Sequence, residues 1–389
     1  MNSLAIFARW AASLTFLLAS EVSYQLDESV YEAWLQEAHA HRDYALAAEQ
    51  GALWLVAHQH PEGHWDCDGF GAQCPHEKCT GYGQENHDVG VTGLALMALM
   101  TRPTAETQDG DCEAVDGAIE KGVQWLLSQR DPNTGRVGTH LTFTSVYDHA
   151  VATVALAQAY GAHPNAELGN ACLRAVDFIL SNQSPDAGWR YEVPPDGSSD
   201  TSVTAWMIHA LDAAFSAGLE VEAEASFQRA HRFLRAMTDG PTGRVGYTEP
   251  GSASSRVVGC NDQYPTEKGE ALTAAALVAA SMMGLDLHEP GEPNRSVRLL
   301  LLTLPEYSQD GYSNDYLYWY YGTEALHRMR GTHPKEWARW SASMGAALSE
   351  SQESAGHSSG SWKPDGPWGH VGGRVTSTAL SILTLSRLQ

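Results

Sequence analysis

From residue 44 to its last residue the chain alternates two kinds of helical pattern. In one, such as "EAVDGAIEKGVQWLLSQ" (113–129), apolar residues recur every three or four positions and the remaining face is charged. A helix of that kind buries one stripe and shows the other side to water. The second kind is apolar nearly all round and rich in alanine: "HDVGVTGLALMALM" (87–100), "DHAVATVALAQAY" (148–160), "DTSVTAWMIHAL" (200–211), "EALTAAALVAASMM" (270–283), "DYLYWYYGTEAL" (315–326) and "RVTSTALSILTL" (374–385). Helices of that composition are buried on every side. Strand-type alternation is nearly absent, so the pattern predicts an all-α protein.

Between the two kinds a short unit recurs. "GALWLVAHQHPEGHW" (51–65), "AVDFILSNQSPDAGW" (175–189) and "GAALSESQESAGHSSGSW" (345–362) each run helix, glutamine, glycine-containing turn and tryptophan. The three glutamines are Gln59, Gln183 and Gln352, and the tryptophans Trp65, Trp189 and Trp362. "WLLSQRDPNTGRVG" (125–138) and "FLRAMTDGPTGRVG" (233–246) keep the turn and lose the tryptophan. Self-similarity at a period of roughly 50–70 residues marks a repeat architecture. Six outer–inner pairs predict about twelve helices closed into a double ring, with residues 44–389 as one domain. The alternative is the same pairs left open as a solenoid. In a closed ring the starts of the inner helices converge on one mouth, where unpaired N–H groups and the helix dipoles face a ligand.

Charge narrows the partners. With 24 basic and 47 acidic residues the net charge is −23, a field that repels phosphate backbones and excludes nucleic acid as a partner. "MNSLAIFARWAASLTFLLAS" (1–20) carries Arg9 and an apolar run too short to span a bilayer. That is the pattern of a signal peptide, with an amphipathic helix as the alternative; residues 21–43 follow as an extension. Export to the periplasm or the extracellular space is expected, with the cytoplasm as the alternative, and no transmembrane span in the mature chain. Six cysteines, Cys67, Cys74, Cys79, Cys112, Cys172 and Cys260, permit disulfides in that setting. The loop "CDGFGAQCPHEKC" (67–79) reads two ways, as disulfide-linked or as a zinc site of Cys67, Cys74, His76 and Cys79.

The glutamine–turn–tryptophan units resemble the QW repeats of squalene cyclases and of protein prenyltransferase β-subunits. "HDVGVTGLALMAL", "YDHAVATVALAQAYG", "DTSVTAW", "YWYYGTEAL" and "GGRVTSTAL" resemble, more narrowly, the bacterial prenyltransferase/squalene-oxidase repeat proteins. The resemblance implies the α/α-toroid fold and, for an enzyme, cyclase or transferase chemistry on an isoprenoid or other lipid-like molecule held in the central cavity. Squalene cyclases carry Asp-x-Asp-Asp-Thr at an inner helix start. Here the aligned residues are Gly197-Ser198-Ser199-Asp200-Thr201, so the acid motif is incomplete.

The candidate chemistry gathers at the inner helix starts. Asp200 is either an alkene-protonating acid or a helix cap; a lone aspartate at a helix N-terminus is held in its charged form. His87 with Asp88 and Asp148 with His149 offer acid–base pairs, with Tyr147 beside them, or else structural caps and polar fillers. Trp206 and Asp315, Tyr316, Tyr318, Trp319 and Tyr320 are candidates for a ligand wall or for aromatic packing that plugs the ring. Arg374 offers a clamp for an anionic group or a neutralising partner for the rim acids. Two functions follow. One is an isomerase- or transferase-type enzyme of terpenoid metabolism; the other is a non-catalytic exported binding or structural toroid.

Overall fold

Twelve α-helices run through the described residues, which are 44–389 apart from 102–108, 139–143, 186, 255 and 289–293 of this computed structural model. The expected leader (1–20) and extension (21–43) lie outside the described residues. The outer helices are α1 (44–57), α3 (Asp109–Ser128), α5 (Ala166–Ser181), α7 (Glu224–Met237), α9 (Arg295–Leu300) and α11 (Pro334–Ser351). The inner ones are α2 (Asp88–Met100), α4 (Ser145–Ala162), α6 (Thr201–Ser216), α8 (Ala271–Met282), α10 (Tyr316–Arg328) and α12 (Gly369–Leu388). Among the described residues the only β-type pairing is three isolated bridges across turns.

The two sequence patterns map onto the two layers. On α5 the buried residues include Leu168, Ala171, Cys172, Ala175 and Ile179, a stripe at helical spacing. On α2 every residue from Val89 to Leu99 is buried. Asn165, Asp200, Asn294 and Asp315 start α5, α6, α9 and α10 by accepting the amides of Leu168, Val203, Val297 and Tyr318, which satisfies N–H groups that a helix start leaves orphaned. The inner helices pack in the order α2, α4, α6, α8, α10, α12, and α12 packs back on α2. The ring is closed; the open solenoid does not form.

Closure is built into the recurring turn. The Gln59 side chain donates to Gly63 O within its own turn (2.7 Å) and to Ala118 O on the next outer helix, α3 (2.8 Å). Gln183 donates to Ala187 O and to Ser226 O on α7, both 3.0 Å. Gln352, in the last repeat, donates to Gly360 O and to Ala47 O on α1, both 2.9 Å. The sixth copy therefore binds the first helix as the first and third copies bind their successors. Gly63 and Gly360 bring the turn backbone against that neighbour. Both have positive φ (104° and 89°), and a Cβ would stand 2.4 Å from Lys121 O and 2.6 Å from Gln50 O.

Each tryptophan completes the unit. The indole N–H of Trp65, Trp189 and Trp362 donates to the carbonyl of Leu55, Ile179 and Leu348 at the end of its own outer helix. Their backbone amides donate to Thr92, Thr204 and Thr378 Oγ1 on the following inner helix. In the degenerate turns Val137 and Val245 stand in the tryptophan's place. Val245 N still meets a threonine, Thr273 (3.1 Å), whereas Val137 N meets His149 Nδ1 (2.9 Å). We expect Gln183→Ala to lower unfolding stability by about 2–3 kcal/mol, since it leaves two inward carbonyls and the Arg229 guanidinium short of a partner. Chemical denaturation measures it; a loss below about 0.5 kcal/mol, the scale of an ordinary surface change, would show that the glutamine link does not hold the repeats together.

Candidate functional site

Five of the six inner helices begin with a carboxylate at the mouth: Asp88, Asp148, Asp200, Glu270 and Asp315. The sixth supplies a cation, because Gly373 (φ 64°, ψ −164°) breaks α12 and its regular part begins at Arg374. Most of these groups are committed to the fold. Asp88 Oδ1 accepts Cys67 N (2.9 Å). Glu270 accepts Arg244 Nε (3.0 Å) and Thr273 Oγ1 (3.1 Å), beside a cavity of about 60 Å³ that Ser252, Ser254 and Thr266 also line. Asp315 caps α10. Arg374 is 3% exposed and donates to Thr80 O (2.7 Å) and Ser361 Oγ (3.0 Å). It fastens a loop, so the expected clamp on a ligand anion is not formed.

The histidine–aspartate pairs form differently from expectation. His87 reaches across from α2 to α4 and pairs with Asp148, Nδ1 lying 3.2 and 3.3 Å from its two oxygens. Gly90 leaves the space, since a Cβ there would stand 2.3 Å from Asp148 Oδ1. The Asp148 carboxylate holds the His87 imidazole above its ordinary pKa, and burial pushes the Asp148 carboxyl up. His149 does not join them. It is fully buried, accepts Val137 N at Nδ1 and donates from Nε2 to Ala175 O (3.2 Å). It does in the second repeat what a threonine hydroxyl does in four others, and burial holds its pKa down to about 3. A neutral ring with both nitrogens occupied is a staple, which corrects its assignment as an acid–base residue.

Asp200 has a divided role. Oδ1 accepts Val203 N and Ser202 Oγ, both 2.8 Å, so the residue caps α6. Oδ2 is buried, makes no hydrogen bond and lies 3.7 Å from Arg190 Nε; burial pushes the carboxyl up despite the cap. From Ser202 a chain of hydroxyls leads outward. Ser202 meets Tyr147 (2.6 Å), Tyr147 meets Tyr191 (3.5 Å), and Tyr191 makes a very short contact with Tyr247. Arg190 lies over the Tyr191 and Tyr247 rings at 5.6 and 5.8 Å. Arg190, Tyr191, Ser202 and Tyr247 were not among the sequence candidates. Their signal is register: Tyr191 and Tyr247 each stand two residues beyond the tryptophan position, Trp189 or Val245, of successive turns.

The aromatic run of α10 divides between layers. Tyr318 points outward, its hydroxyl 2.8 Å from Leu300 O and 2.9 Å from Thr303 O, with its ring edge-on to Trp340. Trp319 is buried edge-on to Tyr316. Tyr318 therefore belongs to the packing between layers, which corrects its place in the expected wall. Tyr320 and Tyr321 turn to the ring axis, where they meet Trp206 of α6 at 6.4 and 5.6 Å between ring centroids. Helices α6 and α10 are not neighbours in the ring; α8, with Ala274, Ala275, Ala276, Ala279 and Ala280 buried, is slim enough to let the rings meet past it.

The 67–79 loop also sorts its metal candidates. Cys67 turns its thiol to Val371 O (3.3 Å), and His76 is exposed. Cys74 and Cys79 are buried, and converge instead with His58 and His357. None of the six cysteines is in a disulfide.

This architecture is an α/α toroid, the class of fold that the terpenoid cyclases share with other helical rings. No protein-family model and no curated protein matches the chain. Among solved structures it is similar to the apo type II terpene cyclase MstE from Scytonema, at 16% identity and a TM-score of 0.52 over 90% of this chain and 98% of that one. A variant of MstE in complex with geranylgeranyl dihydroxybenzoate gives 16% and 0.53 over 90% and 98%. An inactive variant of the alpha-1,6-mannanase GH76A of Salegentibacter sp. HEL1_6, in complex with alpha-1,6-mannotriose, gives 9% and 0.53 over 89% and 99%. Identities this low establish the fold and leave the chemistry to the site.

The His87–Asp148 pair yields a pH prediction. The raised His87 pKa in the folded state means its stabilisation is complete below about pH 6.5, the unfolded value, and is lost as pH rises through the folded value. NMR titration of the His87 ring is expected to give a midpoint above 6.5 that falls in Asp148→Asn. The variant is expected to be less stable by about 2 kcal/mol at pH 6, the gap closing at alkaline pH. An unmoved midpoint would mean that the two side chains do not pair.

Proposed function

We propose that the chain is a ligand-binding toroid that takes a hydroxylated ligand at its mouth and does not enclose an isoprenoid for cyclisation. The observation that carries this reading is the filled axis. Trp206, Tyr320 and Tyr321 are 6%, 3% and 6% exposed and meet one another where a cyclase would need an open cavity for a long apolar chain. At the mouth, half-buried Tyr147, Tyr191 and Tyr247 present hydroxyls and ring faces beside Arg190. Aromatic faces with a few convergent polar groups suit a ligand that has both C–H and hydroxyl surfaces, as a sugar does. The mannanase neighbour, bound to a mannotriose, supports this reading by analogy of fold. Export, which the 1–20 leader leads one to expect, belongs to the same proposal.

One observation favours a second reading. The buried Oδ2 of Asp200 lacks a hydrogen bond, and burial raises its carboxyl; a protonated carboxyl is what alkene protonation requires. That reading needs the aromatics on the axis to swing aside for an isoprenoid such as the MstE substrate.

A single experiment separates them. Tryptophan fluorescence and native mass spectrometry would follow titration with alpha-1,6-mannotriose and with geranylgeranyl dihydroxybenzoate. We expect the saccharide to bind at the mouth, at least tenfold more weakly in Arg190→Ala and unchanged in Trp206→Leu. Tight uptake of the prenylated compound, with a cyclised product that disappears in Asp200→Asn, would overturn the binding reading in favour of the second.

A further inference from the structure

Four side chains from three distant segments meet on the side of the ring where the last repeat joins the first. His58 follows α1, Cys74 and Cys79 lie in the loop between α1 and α2, and His357 sits in the 3-10 turn Gly356–Ser358 between α11 and α12. Their ligand atoms all lie within 4.8 Å of one another. His58 Nε2 is 3.2 Å from His357 Nδ1 and 3.4 Å from both thiols, and Cys79 Sγ is 3.4 Å from His357 Nδ1. A tetrahedral zinc ion with the usual bond lengths would place its ligands about 3.3 Å apart for two nitrogens and about 3.5 Å for nitrogen and sulfur. The distances fit those edges.

The surroundings support the same geometry. His58 Nδ1 donates to Trp54 O (2.7 Å), which leaves Nε2 unprotonated and aimed at the two thiols and the partner imidazole, the second-shell arrangement of a metal-bound histidine. The His58 ring is fixed further by stacking on Trp54 at 4.0 Å between centroids. His58, Cys74 and Cys79 are 1%, 8% and 4% exposed. Two thiols and two imidazoles converge their lone pairs in one place, while the nearby Arg374 guanidinium gives its hydrogen bonds to Thr80 O and Ser361 Oγ; a soft S2N2 donor set in tetrahedral array selects zinc. A disulfide between Cys74 and Cys79 would leave both imidazole lone pairs facing neutral sulfur.

We propose that His58, Cys74, Cys79 and His357 form a tetrahedral zinc site that locks the seam between the last and first repeats. All four positions are protein ligands, so the site is closed and structural, with no open position for substrate. It is independent of the ligand at the mouth. Its effect reaches the rim, because the same loop gives Cys67 N to Asp88 and the Thr80 and Gly81 carbonyls to Arg374.

Metal analysis of the full chain, produced with zinc present, is expected to find one zinc per chain, retained in Cys67→Ser and His76→Ala. Loss is expected in Cys79→Ser and in His357→Ala, the latter on a half-buried surface turn where removal disturbs packing least. Chelation is expected to lower the melting temperature of the wild type and to leave that of His357→Ala unchanged. Cobalt in place of zinc should give the intense visible bands of a tetrahedral thiolate site, a readout on folded wild-type protein. The proposal is overturned if the folded wild type takes up no metal, if zinc stays after His357→Ala, or if peptide mapping finds Cys74 joined to Cys79 with two hydrogens lost.

Discussion

Three of the six junctions in the ring rest on one repeated interaction: a glutamine at the end of an outer helix that hydrogen-bonds its own turn and the next outer helix together. An amphipathic helix can bury its stripe against many partners, and alanine-rich helices are nearly as promiscuous. What fixes the position of three of these pairs is a directional contact, Gln59 to Ala118, Gln183 to Ser226 and Gln352 to Ala47. These amides lie at the edge of the core, where an unmade hydrogen bond costs the desolvation of both groups. The link is therefore selective: a slip by one helical position leaves the glutamine and the carbonyl unpaired. The last turn reaches α1 by the same contact, so closure reuses the link found between earlier repeats.

That geometry also determines what is left for function. The tryptophan turns set the inner helices in a common register through threonine, so their starts fall on one rim and carboxylates collect there. Helix dipoles favour that arrangement, and each acid then acquires a donor or a cation: an amide for Asp88, His87 for Asp148, Arg244 for Glu270. A rim satisfied in this way is stiff and chemically quiet. Unspent polarity remains at the start of α6, where Asp200 keeps an oxygen without a hydrogen bond beneath a shell of tyrosines. The contrast between that sector and the rest of the rim argues for a localised site over a general property of the mouth.

The fold was legible because its information is periodic. The two helix types, the recurrence of glutamine and tryptophan and the glycine turns all repeat, so a weak signal is read several times. Residues with individual roles were not repeated and were harder to read. His149 and Asp148 are adjacent in sequence, yet on a helix adjacent residues point in different directions, so one serves the core and the other the rim. Cys74 and Cys79 stood out by local spacing, while their companions His58 and His357 come from segments 299 residues apart, a relation that only ring closure creates. The run from Tyr316 to Tyr321 announced aromatic mass and could not say which rings face the axis.

The seam has a consequence for how the molecule comes into being. Most contacts between neighbouring helices join residues a few dozen positions apart and can form as soon as a pair is made. The bond from Gln352 to Ala47 spans 305 residues, and the meeting of Arg374 with Thr80 spans 294. Loop closure on that scale is entropically costly and comes late. During synthesis α1 must therefore wait for Trp362 and for Ile382 of α12, which stand so close over Gly51 that a Cβ there would lie 2.9 and 3.0 Å from them. Ring closure is thus the last act of assembly, the step at which the final repeat of the chain supplies the missing neighbour of its own first helix.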